Sequence, residues 1–214
     1  VTDPYSGFTH PGVGLTKETL DNVQAQVRAG AEPWKSYFET MILDDGSISG
    51  RDVGPKRNGG PFNNNTFNNN NDGSRAYAQA LMYYITGDNA YRRNAMRIIR
   101  AYEDIDPESL EYFNDACIHM GIPTNRICIA AEILRYSSYQ VTDGYTEEEL
   151  AWTEEDTEKF ISNFLSPEVE VFQYSPDRFM NQHLYTTIGA MSAYLFMDDA
   201  ESYEKAVEWF TVNK

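Results

Sequence analysis

At 214 residues the chain has room for one domain with a substantial core. Its 33 acidic and 17 basic residues leave a net charge of −16, which argues against nucleic acid or an anionic membrane surface as a partner. No run approaches the roughly 20 apolar residues of a membrane span, and Val1-Thr2-Asp3-Pro4 lacks the basic and apolar regions of a signal peptide. The chain therefore reads as cytosolic or as secreted with its signal removed.

In chain order, His10-Pro11-Gly12 opens a loop and Thr16 is placed to cap a helix over Lys17–Arg28, with Leu20, Val23 and Val27 on one face. Gly30 closes it. Pro33 suits a first helical turn, and Trp34, Tyr37, Phe38, Met41 and Ile42 form an apolar stripe, expected in the core. Periodicity then vanishes over residues 43–73, with seven asparagines between Asn63 and Asn71. A loop of that length is usually functional or disordered. Clustered amides pair donors with acceptors as sugar hydroxyls require, so Asn69, Asn70 and Asn71 are candidate ligand-lining residues, against a plain solvated loop.

Ser74 is expected to cap a helix over 75–85, ended by Gly87, with Asp88 capping its partner over 89–102. A similar hairpin recurs around Met197-Asp198-Asp199-Ala200. Between them, residues 123–136 and 154–165 read as helices, and Thr146 with Glu149 and Thr153 with Asp156 match helix starts. No stretch alternates as a strand, so the expected fold is all-α. Cys117 and Cys128 stand at a spacing that permits a disulfide between a loop and the next helix, and Asn64-Asn65-Thr66 is a glycosylation sequon that tilts towards an extracellular setting.

Asn181-Gln182-His183-Leu184-Tyr185 places polar groups at the mouth of an apolar run over 188–196. A helix N-terminus favours negative charge, so this stretch suits an anionic ligand; the alternative is a capping Asn181 and a hydrogen-bonded His183 near the core. Asn125 and Arg126 flank the start of the 123–136 helix, where the guanidinium suits an acidic sugar or a carboxylate of the chain itself. His119 is expected to be structural, and Asp104, Asp106 and Glu108 to form a solvated face. The histidines lack zinc-like spacing, so no metal and no cofactor are expected.

Several segments together resemble the alginate lyase-like polysaccharide lyases. They are His10-Pro11-Gly12, Ala31-Glu32-Pro33-Trp34-Lys35, Gly59-Gly60-Pro61 with the Asn-rich stretch, Ile85-Thr86-Gly87-Asp88, Ala130-Ala131-Glu132-Ile133-Leu134-Arg135 and Asn181-Gln182-His183. The resemblance implies an incomplete (α/α) toroid, with residues 1–214 as its N-terminal portion. It implies secretion, an anionic polysaccharide such as alginate or glucuronan as substrate, and β-elimination: the uronate carboxylate is neutralised, the C5 proton is removed and the C4 oxygen leaves. Asn181 falls on the neutralising Asn and His183 on the His that neutralises or acts as base, with Gln182, Asn125 and Arg126 as substrate-binding candidates. The family's catalytic Tyr, with an Arg just before it, follows the Asn-His element by tens of residues. No such pair lies in the 31 residues after His183, so the domain is expected to continue beyond Lys214 or to be completed by a separate segment. Tyr185 is the nearer candidate. Two other readings compete: a glycoside hydrolase on a similar toroid, which needs two carboxylates flanking the bond, and a carbohydrate-binding domain without catalysis.

Overall fold

Three long helices, α3 (Thr66–Thr86), α5 (Ala116–Tyr136) and α9 (Asn181–Phe196), run side by side and organise the molecule. The computed structural model describes residues 1–42, 48–56, 66–109, 116–172 and 181–212. The expected glycosylation sequon, whose acceptor is Asn64, lies outside them. Among the described residues there is no sheet, only an isolated antiparallel bridge between Thr2 and Thr9, and no helix is long and apolar enough to cross a membrane.

The direction of the three helices follows from their cross-contacts. Gly73 and Ser74 of α3 meet Pro123 and Arg126 of α5, and further along Tyr83 reaches Ser138 just beyond the end of α5. Gly121 meets Tyr185 and Asn125 meets Ser192. Residue numbers rise together in each pair, so α3, α5 and α9 are parallel. Between them the chain returns through antiparallel helices. One is α4 (Asn89–Glu103); the second is the run of α7 (Glu154–Lys159), a π-helical turn over Phe160–Leu165 and α8 (Ser166–Phe172); the third is α10 (Ala200–Val212).

Local chemistry sets the ends as expected where caps are strong. Thr16 accepts from the Thr19 N–H to start α1 (Lys17–Arg28), and Asp88 accepts from Ala90 at 3.0 Å to start α4. Thr146 and Thr153 each form a complete capping box, on α6 (Glu147–Leu150) and α7. The two hairpin turns are the sequence repeat made physical: Gly87 takes φ +75° and Asp198 takes φ +60°, the left-handed backbone that lets a helix stop and reverse.

Four expectations need correction. The stripe on α2 (Trp34–Ile42) is not core: Tyr37 is 74% exposed, and among its described side chains Phe38 and Met41 pack against a small cluster of Met82, Tyr83 and Tyr91. A nine-residue helix at the edge of the fold lacks a second layer to cover it. Residues 66–73 are not loop but the first turns of α3, and Ser74 lies inside that helix. Asparagine is a poor helix former, but Asp72, Gly73 and Ala76 are buried there, so packing overrides propensity. The helix expected to start at Pro123 begins at Ala116, with Pro123 inside it. Proline removes one hydrogen bond to the preceding turn, and close packing against Gly73 holds the segment in place. Cys117 and Cys128 therefore share one helix, about 16 Å apart along its axis, and cannot pair; Cys128 is a buried free thiol.

The core is one continuous cluster between the layers. Phe160, Phe164 and Phe196 are fully buried, and Phe160 meets Phe164 and Phe196 with ring centroids 5.5 and 5.1 Å apart. Each such ring contributes on the order of 2 kcal/mol by leaving water. Where α5 crosses α9 no side chain intervenes: a Cβ on Gly189 would lie 2.7 Å from the Gly121 Cα.

Candidate functional site

Parallel packing brings the N-terminal ends of α3, α5 and α9 to one end of the molecule. That end carries most of the sequence-predicted residues. Asn69, Asn70 and Asn71 lie on the first turns of α3; Asn71 is half-buried, and the side chains of the other two fall outside the described residues. At the same end Asn181 is exposed, while Gln182, His183 and Tyr185 are half-buried on the opening turns of α9.

The supporting contacts are specific. Asp72, fully buried, accepts from the Lys56 N–H at 2.7 Å and ties the 48–56 segment to α3. Arg126 donates from Nη1 to Ser74 Oγ at 2.7 Å. Asn125 donates to Ser192 Oγ at 2.8 Å, and that hydroxyl donates to the Ile188 carbonyl at 2.6 Å. Tyr185, Asn125, Ile122 and Met191 line a groove of about 440 Å³.

His183 is held differently from a capped or core histidine. Its ring centroid lies 5.7 Å from that of Trp209 on α10, and its Nε2 is buried with no hydrogen-bond partner among the described residues. A buried imidazole nitrogen without a partner costs free energy, and a ligand donor or acceptor would relieve it.

α1, α6, α7, α8 and α10 each carry an acid in the first turn, where it complements the helix dipole. α3, α5 and α9 carry none, and neither do α2 and α4. In a chain with 33 carboxylates, three long parallel helices thus bring to one end opening turns that carry no acid among the described residues.

The sequence reading missed the buried ionic groups. His10, 2% exposed, is placed with Nδ1 2.9 Å from Glu132 Oε1 and Nε2 3.1 Å from Asp198 Oδ1, and its ring stacks on Tyr136 at 5.0 Å. Burial alone would lower its pKa, but the hydrogen bonds and charges of Glu132 and Asp198 outweigh it and raise the imidazole above its ordinary value. This imidazole clasps the N-terminal loop to α5 and to the turn before α10. Arg92, fully buried, donates to the carbonyls of Leu150 and Leu134 and to Ser137 Oγ, with the Tyr83 and Tyr139 rings 5.0 and 4.5 Å away. Burial pushes Glu168 well above the usual carboxylate range, with Thr124 2.6 Å from its Oε1. The signal for Glu132 was visible: a charged residue inside Ile129-Ala-Ala-Glu-Ile-Leu134 must be buried with its partner. Asp104, Asp106 and Glu108 are exposed, as expected.

Comparison with protein-family models, with curated proteins and with solved structures finds no match.

Proposed function

We propose that the chain is part of a polysaccharide lyase that cleaves a uronic-acid polymer by β-elimination. The observation that carries this reading is that the acid-free opening turns of α3, α5 and α9 lie at one end of the molecule with Asn181 and with His183, whose buried Nε2 has no hydrogen-bond partner among the described residues. β-Elimination needs an anion-stabilising site, because negative charge builds on the uronate carboxylate as the C5 proton leaves. Amide and imidazole donors aimed at that carboxylate each contribute on the order of 10²- to 10³-fold, by analogy with an oxyanion-hole donor.

In this reading Asn181 neutralises the carboxylate and His183 neutralises it or takes the proton. Gln182, Asn125, Arg126 and Asn69 to Asn71 bind flanking sugars, and Tyr185 is the tyrosine nearest the chemistry. The alternation of α3, α5 and α9 with antiparallel returns would be the start of an (α/α) toroid, and the protein would act outside the cell.

The test is incubation of the full chain with alginate, glucuronan and related polyuronates while following the ultraviolet absorbance of the new C4–C5 double bond. The reading expects that absorbance to rise with at least one polymer and to be lost in His183→Ala. Saturated reducing ends would point to hydrolysis, and silence across the panel would overturn the reading.

A further inference from the structure

The opposite ends of the same helices form a second concavity. The C-terminal ends of α3 and α5 lie side by side, where Tyr83 donates to the Ser138 carbonyl at 2.7 Å. With α1 they enclose a cleft of about 470 Å³, within the range of small-ligand pockets. Lys17, Asp21, Gln24, Tyr84 and Ser137 supply its reactive lining.

These groups are fixed in position. Asp21 accepts from Lys17 Nζ at 2.6 Å and from the Tyr84 hydroxyl at 2.6 Å, and Gln24 is anchored through its amide N–H to the Tyr84 carbonyl. The side chains of Lys17 and Asp21 remain 64% and 52% exposed. The ammonium keeps N–H groups, and the carboxylate keeps lone pairs, for a ligand in the cleft. The Tyr84 ring supplies an apolar surface beside them.

The charge pattern selects among ligands. Lys17 and Asp21 cancel, and the C-terminal ends of α3 and α5 are offset by the first turn of α1, which begins at Lys17, and by the start of α4 just after Gly87. The cleft therefore carries no net charge to attract an anion or a cation. A neutral polyol suits both groups at once: adjacent hydroxyls donate to Asp21 and accept from Lys17, and a sugar's C–H face covers an aromatic ring.

We propose that this cleft is a second carbohydrate site, specific for neutral sugar units and separate from the anionic site at the other end of the helices. It would hold neutral stretches or branches of a polymer whose charged residues bind elsewhere, and it stands whether or not the chain is a lyase.

Calorimetric titration of the full chain with neutral gluco-, manno- and xylo-tetrasaccharides, and with a uronate tetrasaccharide, tests it. Wild-type protein is expected to bind at least one neutral tetrasaccharide. Asp21→Ala is expected to weaken that binding by about tenfold, the usual cost of a lost hydrogen bond to a charged group, and to leave uronate binding unchanged. Gln24→Ala, a second and independent variant, is expected to weaken it in the same direction. Far-ultraviolet dichroism identical to wild type establishes that both variants are folded. No binding of any neutral tetrasaccharide, unchanged affinity in both folded variants, or equal loss of uronate binding in Asp21→Ala would each overturn the proposal.

Discussion

Buried titratable side chains set how this molecule responds to pH. Glu103 is 3% exposed, its Oε1 is buried without a hydrogen-bond partner among the described residues, and burial, followed by the charge of Asp156, pushes its pKa up to about 9. Asp156 is itself ionised in a paired contact with Arg100 at 2.8 and 3.3 Å. An acid whose pKa rises on folding keeps its proton in the folded chain after the unfolded chain has lost it. Its stabilising effect is complete below the unfolded pKa and is lost as pH climbs through the folded value. His10, also raised, has the same sign: its clasp is complete below the ordinary imidazole value and is lost above the raised one. Glu103→Gln keeps a neutral group in place at every pH. Urea denaturation is therefore expected to find the variant more stable than wild type by on the order of 2 kcal/mol near pH 8 and nearly equal near pH 4. A difference that does not grow with pH would refute the buried neutral acid.

Among the elements, the crossing of α5 and α9 positions the candidate site. A Cβ on Gly121 would overlap the Tyr185 carbonyl oxygen, and the surrounding atoms are backbone, which cannot swing away. Gly121→Ala is expected to cost about 3 kcal/mol or more through overpacking and to displace the opening turns of α9. Gly144→Ala has open space, although its φ of +89° carries backbone strain, and is expected to cost less. Thermal denaturation of the two variants checks the order. The same elements mark what was legible in the sequence. Strong caps announced α1, α4, α6 and α7, because a side-chain oxygen on a free N–H is local chemistry. The early starts of α3 and α5 were hidden, because Asn68 to Asn71 and Pro123 are weak helix residues, whereas the contacts of Asp72 with Lys56 and of Gly73 with Pro123 join segments distant in sequence. The Asn181 and His183 pair was visible as polar residues ahead of an apolar run. Its meeting with the ends of α3 and α5 depends on parallel packing that no local pattern encodes. Glu132 was legible as a buried charge, whereas its partner His10 lies 122 positions away.

At the scale of the whole molecule, acids are unevenly placed among the helix starts. A chain of net charge −16 should repel a polyanion, yet the opening turns of α3, α5 and α9, like those of α2 and α4, are free of acids while those of five other helices carry them. The central claim is that this end recognises the carboxylates of an acidic sugar through Asn181 and His183. The most direct measurement is calorimetric titration with a uronate tetrasaccharide and with its methyl ester, which has the same shape and no charge. The account predicts that esterification weakens binding by about tenfold or more, and that Asn181→Ala with His183→Ala abolishes the difference between the two ligands. Equal affinity of the wild-type chain for acid and ester would contradict it.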